Sequence, residues 1–143
     1  MVDFNRKQAE QETENPWDGA EVVFSYSRAQ AIEDGVLVDL AQEPLVTLCR
    51  QAGFRLPIAM TATAWAECVG SEPLPQGQSV NGRLWDVLNV LRTAIHANEL
   101  TDRVHFKVRV WNGVRFDTVQ MWCQCGPGDT AEPVLTIMLE GED

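Results

Sequence analysis

The hydrophobic pattern of the chain is clearest between Asn81 and Glu99, where apolar side chains recur every three or four residues. This spacing is typical of a helix with one buried face. The apolar positions are Leu84, Trp85, Val87, Leu88, Val90, Leu91, Ala94 and Ile95, and the polar positions on the other side are Arg83, Asp86, Asn89, Arg92, Thr93 and His96. The sequence therefore predicts an amphipathic helix over 82–98 whose apolar face, Trp85 included, packs across a sheet.

After this helix the pattern changes to a period of two. Residues 103–111 alternate between polar and apolar side chains, and residues 114–125 resume the alternation after Asn112-Gly113. Asn-Gly is typical of a two-residue type I′ hairpin turn, because both residues tolerate positive φ. Residues 133–139 are apolar at nearly every position. These three segments predict an antiparallel β-meander with the long helix packed on one face.

Shorter elements are expected before the helix. We predict short strands over 21–25, 36–40 and 57–60, and short helices after Ser27, Pro44 and Thr61. Ser27 with Gln30 matches a capping box, in which the hydroxyl and the amide satisfy each other's backbone N–H groups. Residues 71–82 are rich in proline and glycine and predict a loop. The fold class expected is a single α+β domain over 16–143, preceded by a flexible acidic arm over 1–15.

Charge and composition narrow the class of protein. The chain of 143 residues has a formal net charge of −10, and the acids concentrate at its two ends: residues 1–20 carry five acids and two bases, and residues 128–143 carry five acids and no base. A negative field disfavours direct binding to nucleic acid and to anionic membranes. The polar stretch Met1–Glu14 lacks the apolar core of a secretory signal. We therefore expect a cytoplasmic protein that does not enter a membrane and keeps its four cysteines reduced.

The predicted hairpin collects basic and aromatic side chains on one face. With Trp111 opposite Val114, this face, here called the basic–aromatic face, consists of Arg103, His105, Lys107, Arg109, Trp111, Phe116, Gln120 and Trp122. It could bind an anionic ligand or a nucleic-acid strand, it could be an ordinary solvated face with cation–π contacts, or an acidic end of the chain could cover it. Four like charges in a row repel one another. A carboxylate partner is favoured over phosphate, either the C-terminal segment Glu140–Asp143 or another molecule.

Other candidate chemistry is weaker. Four cysteines and two histidines (Cys49, Cys68, Cys123, Cys125, His96 and His105) lack the paired spacing typical of zinc sites. No local catalytic signature surrounds any cysteine. We therefore expect no metal, no cofactor and no catalytic residue.

Four segments of the chain, 25–40, 52–69, 77–95 and 126–143, contain strings such as AIEDGVLVD, GRLWDVL and TIMLEGED. In these segments the chain resembles a family of small uncharacterised proteins encoded in bacterial genomes, plasmids and phages, known only as a domain of unknown function. The resemblance implies a prokaryotic cytosolic protein of mobile-element origin. It brings no activity and no catalytic residues.

Two classes of function follow from the sequence. The first is a non-enzymatic accessory protein that binds another protein through acidic and aromatic surface. In a mobile-element setting this class would fit an inhibitor of host defence that presents carboxylates where DNA phosphates would lie. The alternative is a small enzyme or ligand-binding domain that uses the basic–aromatic face for an anionic ligand. A concave pocket with convergent polar groups would favour the second class.

Overall fold

The structure of the protein is a computed structural model that describes residues 26–70, 73–98 and 101–142. Its elements in chain order are α1 (Arg28–Glu33), β1 (Leu37–Asp39), α2 (Leu45–Gln51), β2 (Ile58–Thr61), α3 (Ala62–Cys68), α4 (Val80–Ala97), β3 (Arg103–Trp111), β4 (Phe116–Pro127) and β5 (Pro133–Leu139). These elements confirm the predicted α+β class. The strand predicted over 21–25 and the arm over 1–15 lie outside the described residues.

The five strands form one sheet in the order β1-β2-β5-β4-β3. The last three strands make the predicted antiparallel meander. The short strands extend it, because β2 runs parallel to β5 and β1 runs antiparallel to β2. One face of the sheet packs against α4, and we call the opposite face the outer face.

The core lies between α4 and the sheet. Leu84, Val87, Leu88 and Leu91 of α4 are fully buried, and they belong to one apolar cluster with side chains of the sheet such as Phe106, Met121 and Ile137. The cluster confirms that the helix crosses the sheet as its main core element. Burial of this apolar surface is the dominant favourable term in folding.

Short polar side chains begin three of the helices, as predicted at Ser27 and Thr61 but not at Ser79. The hydroxyls of Ser27, Thr61 and Ser79 accept hydrogen bonds from the third backbone N–H that follows, at 3.0, 3.2 and 3.0 Å. Such caps satisfy N–H groups that have no partner inside the helix. Because Ser79 is a cap, α4 begins at Val80, and the last residues of the loop predicted over 71–82 lie in its first turn.

The orientation of α4 differs from the prediction at three positions. Trp85 and Val90 were expected in the buried face, but their exposed fractions are 38% and 36%. Arg83 was expected in solvent and is only 5% exposed. Its guanidinium donates to the backbone carbonyl of Trp111 and to Gln78 Oε1. Burial of a charged head group is tolerated where acceptors replace water, which the helical period alone does not reveal.

The hairpin turn also differs from the prediction. Trp111 pairs with Phe116, so the loop holds four residues, and the predicted type I′ turn with Trp111 opposite Val114 is wrong. Asn112 Oδ1 accepts from the backbone N–H groups of Val114 and Arg115 at 2.8 and 3.0 Å, which stabilises the longer loop. The register shifts by two residues, and therefore every side chain keeps its predicted face.

Candidate functional site

The basic–aromatic face lies on the outer face of the sheet, along β3 and β4. Cross-strand pairs place Arg109 beside Thr118, Lys107 beside Gln120 and His105 beside Trp122. The structure thus brings all eight residues of the predicted site onto one face. Six of them are exposed, namely Arg103, His105, Lys107, Arg109, Phe116 and Gln120, and Trp111 is half-buried.

Trp122 is the exception, because its exposed fraction is only 4%. Its indole N–H donates to the carbonyl of Leu139 at 3.2 Å. The guanidinium carbon of Arg103 lies 3.7 Å from the centre of the Trp122 ring, and the His105 ring stacks at a centroid distance of 6.2 Å. Trp122 therefore supports Arg103 and His105 from below instead of offering its own ring to a ligand.

A second aromatic cluster lies at the other end of the row of basic side chains on β3, here called the basic row, which consists of Arg103, His105, Lys107 and Arg109. The guanidinium carbon of Arg109 is 4.5 Å from the centre of the Phe116 ring, which itself meets the Trp111 ring edge-on at 5.0 Å. Lys107 lies between the two clusters on β3. Cation–π contacts of this kind are electrostatic attractions between a cation and the face of a ring. They hold two of the four basic groups in place while leaving them in contact with solvent.

The C-terminal acids divide between two places. Glu140 Oε2 lies 3.5 Å from His105 Nδ1, at the edge of the basic–aromatic face. Glu142 turns away to α3, where it accepts hydrogen bonds from the hydroxyls of Thr61 and Thr63 and from the backbone N–H of Leu139. Burial raises the pKa of Glu142, but these hydrogen bonds outweigh it and hold the pKa below its ordinary value. Of the described C-terminal acids, Glu140 is the one beside the basic row.

The side chain of Arg28, the first residue of α1, reaches β5 on the outer face. The guanidinium of Arg28 donates to Thr136 Oγ1 at 2.8 Å and to the carbonyl of Leu135 at 2.9 Å. The carboxylate of Asp129 accepts the backbone N–H groups of Arg28 and Ala29 at 2.7 and 2.9 Å. The hydrogen bond from Ala29, followed by that from Arg28, lowers the pKa of Asp129. The sequence does not predict this connection, because its partners are 100 residues apart and no local signal links them.

The cysteines face the interior. Cys49, Cys68 and Cys123 are buried, and burial raises the pKa of Cys49 to about 11 and those of Cys68 and Cys123 to about 12. At neutral pH these thiols are protonated, the form that is a poor nucleophile. Within residues 26–70, 73–98 and 101–142, no group of three cysteine, histidine or acidic side chains is arranged to hold a metal.

A cleft of about 360 Å³ opens on the other side of the sheet, beside the C-terminal half of α4. Its apolar wall includes Phe54, Leu56, Ile95, Val104 and Leu135. Three basic side chains and one acid also line it: Arg55, Arg92, His96 and Asp102. No local sequence pattern predicts this cleft, because separate segments of the chain form it.

Comparison with known proteins places the chain in a family. None of the helices in the described part of the chain combines the length and apolar character that crossing a membrane requires. No curated protein and no solved structure matches the chain. A family model matches residues 13–143, which include every described helix and strand, and this match confirms the resemblance to a family of unknown function. The chain belongs to DUF6573, a family of unknown function.

Proposed function

We propose that this protein is a non-enzymatic accessory protein that binds another protein through the basic–aromatic face. The observation that carries the proposal is the row of four exposed basic side chains on β3, two of which are held over aromatic rings. With a rise of about 3.4 Å per residue, the row extends over about 20 Å. Arginine and aromatic side chains are enriched at protein–protein interfaces.

The partner surface is acidic. The basic row attracts negative charge, while the net charge of −10 opposes the approach of a polyanion such as nucleic acid. A carboxylate-bearing protein meets both conditions, because its charges are few and local. The proposal includes a mobile-element origin and inhibition of a host defence protein, and the resemblance of the four sequence segments supports it.

The test is capture from a bacterial lysate at low salt, followed by affinity measurement with the purified partner. Lys107→Glu with Arg109→Glu reverses two charges of the row and should weaken binding at least about tenfold. The loss should shrink at high salt because salt screens exposed charges.

The control is Arg50→Glu with Arg55→Glu, since both residues are exposed and lie away from the outer face. This pair makes the same change of net charge and should leave affinity nearly unchanged. Equal affinity of the two double variants would contradict the proposal. Equal melting temperatures of the variants and the parent would exclude unfolding as the cause of any loss.

A second candidate function, binding of a small anionic ligand, is favoured by the cleft beside α4 instead of the hairpin. Its apolar wall and its cations Arg55 and Arg92 match a ligand with an apolar body and an acidic group. Anilinonaphthalene sulfonate is a suitable probe. An increase in its fluorescence on addition of the folded parent would indicate binding. Loss of this increase with Arg55→Glu plus Arg92→Glu, but not with Lys107→Glu, would support this function.

A further inference from the structure

β3 lies at one edge of the sheet that the described residues form. Hydrogen bonds at its two ends show which backbone groups point towards β4. The N–H of Asn112 donates to the carbonyl of Arg115 at 3.0 Å, and the N–H of Cys125 donates to the carbonyl of Asp102 at 2.8 Å. Hydrogen-bonded pairs alternate along an antiparallel ladder. The even-numbered residues of β3 are therefore the ones that exchange hydrogen bonds with β4.

The odd-numbered residues of β3 direct their N–H and C=O groups away from β4. These are Arg103, His105, Lys107 and Arg109, which are also the basic row, followed by Trp111. The carbonyl of Trp111 shows the direction, because it accepts a hydrogen bond from the Arg83 side chain and not from β4. Among the described residues, no other strand pairs with this edge.

The buried Arg83 marks one end of the available edge by occupying the Trp111 carbonyl. At the other end, the Thr101 hydroxyl accepts from the N–H of Arg103 at 3.2 Å and donates to its carbonyl at 3.1 Å. The available edge therefore runs from His105 to Arg109 and extends for about 14 Å. Exposed edges are commonly protected against non-specific pairing by charged side chains. Here the arginine and lysine side chains of β3 on the outer face, Arg103, Lys107 and Arg109, all carry positive charge. They repel a second copy of β3 and attract an acidic strand.

The helix side of the edge offers an apolar contact. Val90 lies on the same side of α4 as Arg83 and Asp86, at the spacing of one and two helical turns. Those two residues line a small cleft together with residues 108–111 of β3. Val90 itself is 36% exposed. An apolar side chain on an added strand can therefore pack towards α4, while the next side chain points to the outer face.

We infer that the β3 edge binds an extended segment of a partner protein whose carboxylates stand at every second residue, and that this segment joins the sheet as a sixth strand. The inference rests on the proposed function and adds its binding mode. Opposite charges on the same face of neighbouring strands stabilise pairing, and like charges destabilise it. Backbone hydrogen bonds supply affinity, and the basic row selects the acidic sequence.

The test is amide-resolved hydrogen exchange by NMR on the full chain, with and without a synthetic peptide of alternating glutamate and valine. The amides of His105, Lys107 and Arg109 point outwards and should exchange about tenfold more slowly when the peptide is present at saturating concentration. The amides of Phe106 and Val108 bond to β4, so they should be protected throughout. They serve as the control within the same strand.

Two N-methylated peptides sharpen the test. One peptide carries N-methyl groups on every glutamate and the other on every valine, so each loses the N–H groups along one of its two edges. Strand addition requires that one of them protects the outward amides and that the other does not. The peptide that still protects the outward amides reports whether the added strand is parallel or antiparallel.

Three results would overturn the inference. Slow exchange of the outward amides without peptide would mean that the chain itself occupies the edge, and Glu10, Glu12 and Glu14 have the required spacing. Equal behaviour of the two methylated peptides, or no protection by the parent peptide, would exclude strand addition. If the peptide shifts side-chain signals of Lys107 and Arg109 without slowing the amides, the proposed function survives and the strand-addition mode does not.

Discussion

The outer face of the sheet uses arginine in two different ways. At β5, Arg28, the first residue of α1, is half-buried, donates to Thr136 and Leu135, and is surrounded by the acids Asp39, Asp129 and Glu132. On β3, Arg103 and Arg109 are exposed and lie over aromatic rings. Burial lowers the pKa of Arg28, and the three acids oppose this shift. An enclosed cation serves the fold, whereas a cation held over a ring in solvent is available to a partner.

The largest expected effect on stability concerns the core, which supports both the β3 and the β5 region of the sheet. Leu88→Ala should lower the free energy of unfolding by about 2–5 kcal/mol, because it removes buried surface and leaves a cavity. Val90→Ala on the exposed side of the same helix is the control and should cost less than about 1 kcal/mol. Urea melts of the two variants provide the measurement. Equal losses would mean that α4 does not present Leu88 to the sheet.

The different roles of Arg28 and Arg109 can be tested directly. Arg28→Ala should cost about 1–3 kcal/mol, since two hydrogen bonds to the sheet are lost and their acceptors are left without partners. Arg109→Ala removes an exposed cation–π contact and should cost about 0.5–1 kcal/mol. Chemical denaturation at matched salt measures both. A larger loss for Arg109→Ala would reverse the assignment of structural and binding roles.

Substitutions in the hairpin loop test whether the pairing of β3 with β4 has a defined register. Gly113 has a φ of 101°, which side-chain-bearing residues rarely adopt, and Gly113→Val should cost about 1–3 kcal/mol. Val114→Ala in the same loop should be nearly neutral, because Val114 is 83% exposed. Thermal melts would separate the two variants. If Gly113→Val proved neutral, the loop would not require its glycine.

The smallest effect is a dependence on pH. Because the pKa of Glu142 is lowered in the folded protein, its stabilising contribution is complete above the pKa of the unfolded chain, about 4.3, and is lost as the pH falls through the folded value. The melting temperature of Glu142→Gln should therefore fall less than that of the parent between about pH 6 and about pH 3. Lys107→Gln, on the basic–aromatic face, is the control, and its melting temperature should depend on pH as that of the parent does. Parallel curves for Glu142→Gln and the parent would contradict the role of the Thr61 and Thr63 contacts.

Local patterns were sufficient to predict the described elements and the faces of the hairpin strands. Alternation over residues 103–111 assigns the basic side chains to one face, and because the period is two, the faces survived the two-residue error in register. The caps at Ser27 and Thr61 are equally local, since the side chain bonds to an amide three residues away. Periodicity likewise indicated the long helix, whose observed bounds are Val80–Ala97.

Contacts between distant segments decided the rest. Trp122 is buried because Arg103 and the end of β5 lie against it, and Arg83 is buried because Trp111 offers a carbonyl. The parallel pairing of β2 with β5 and the Asp129 contact to α1 join residues far apart in the chain. Periodicity reports which way a side chain points relative to its own backbone. Only the packed structure determines what stands opposite it, and hence which of the basic side chains serve the fold and which face solvent.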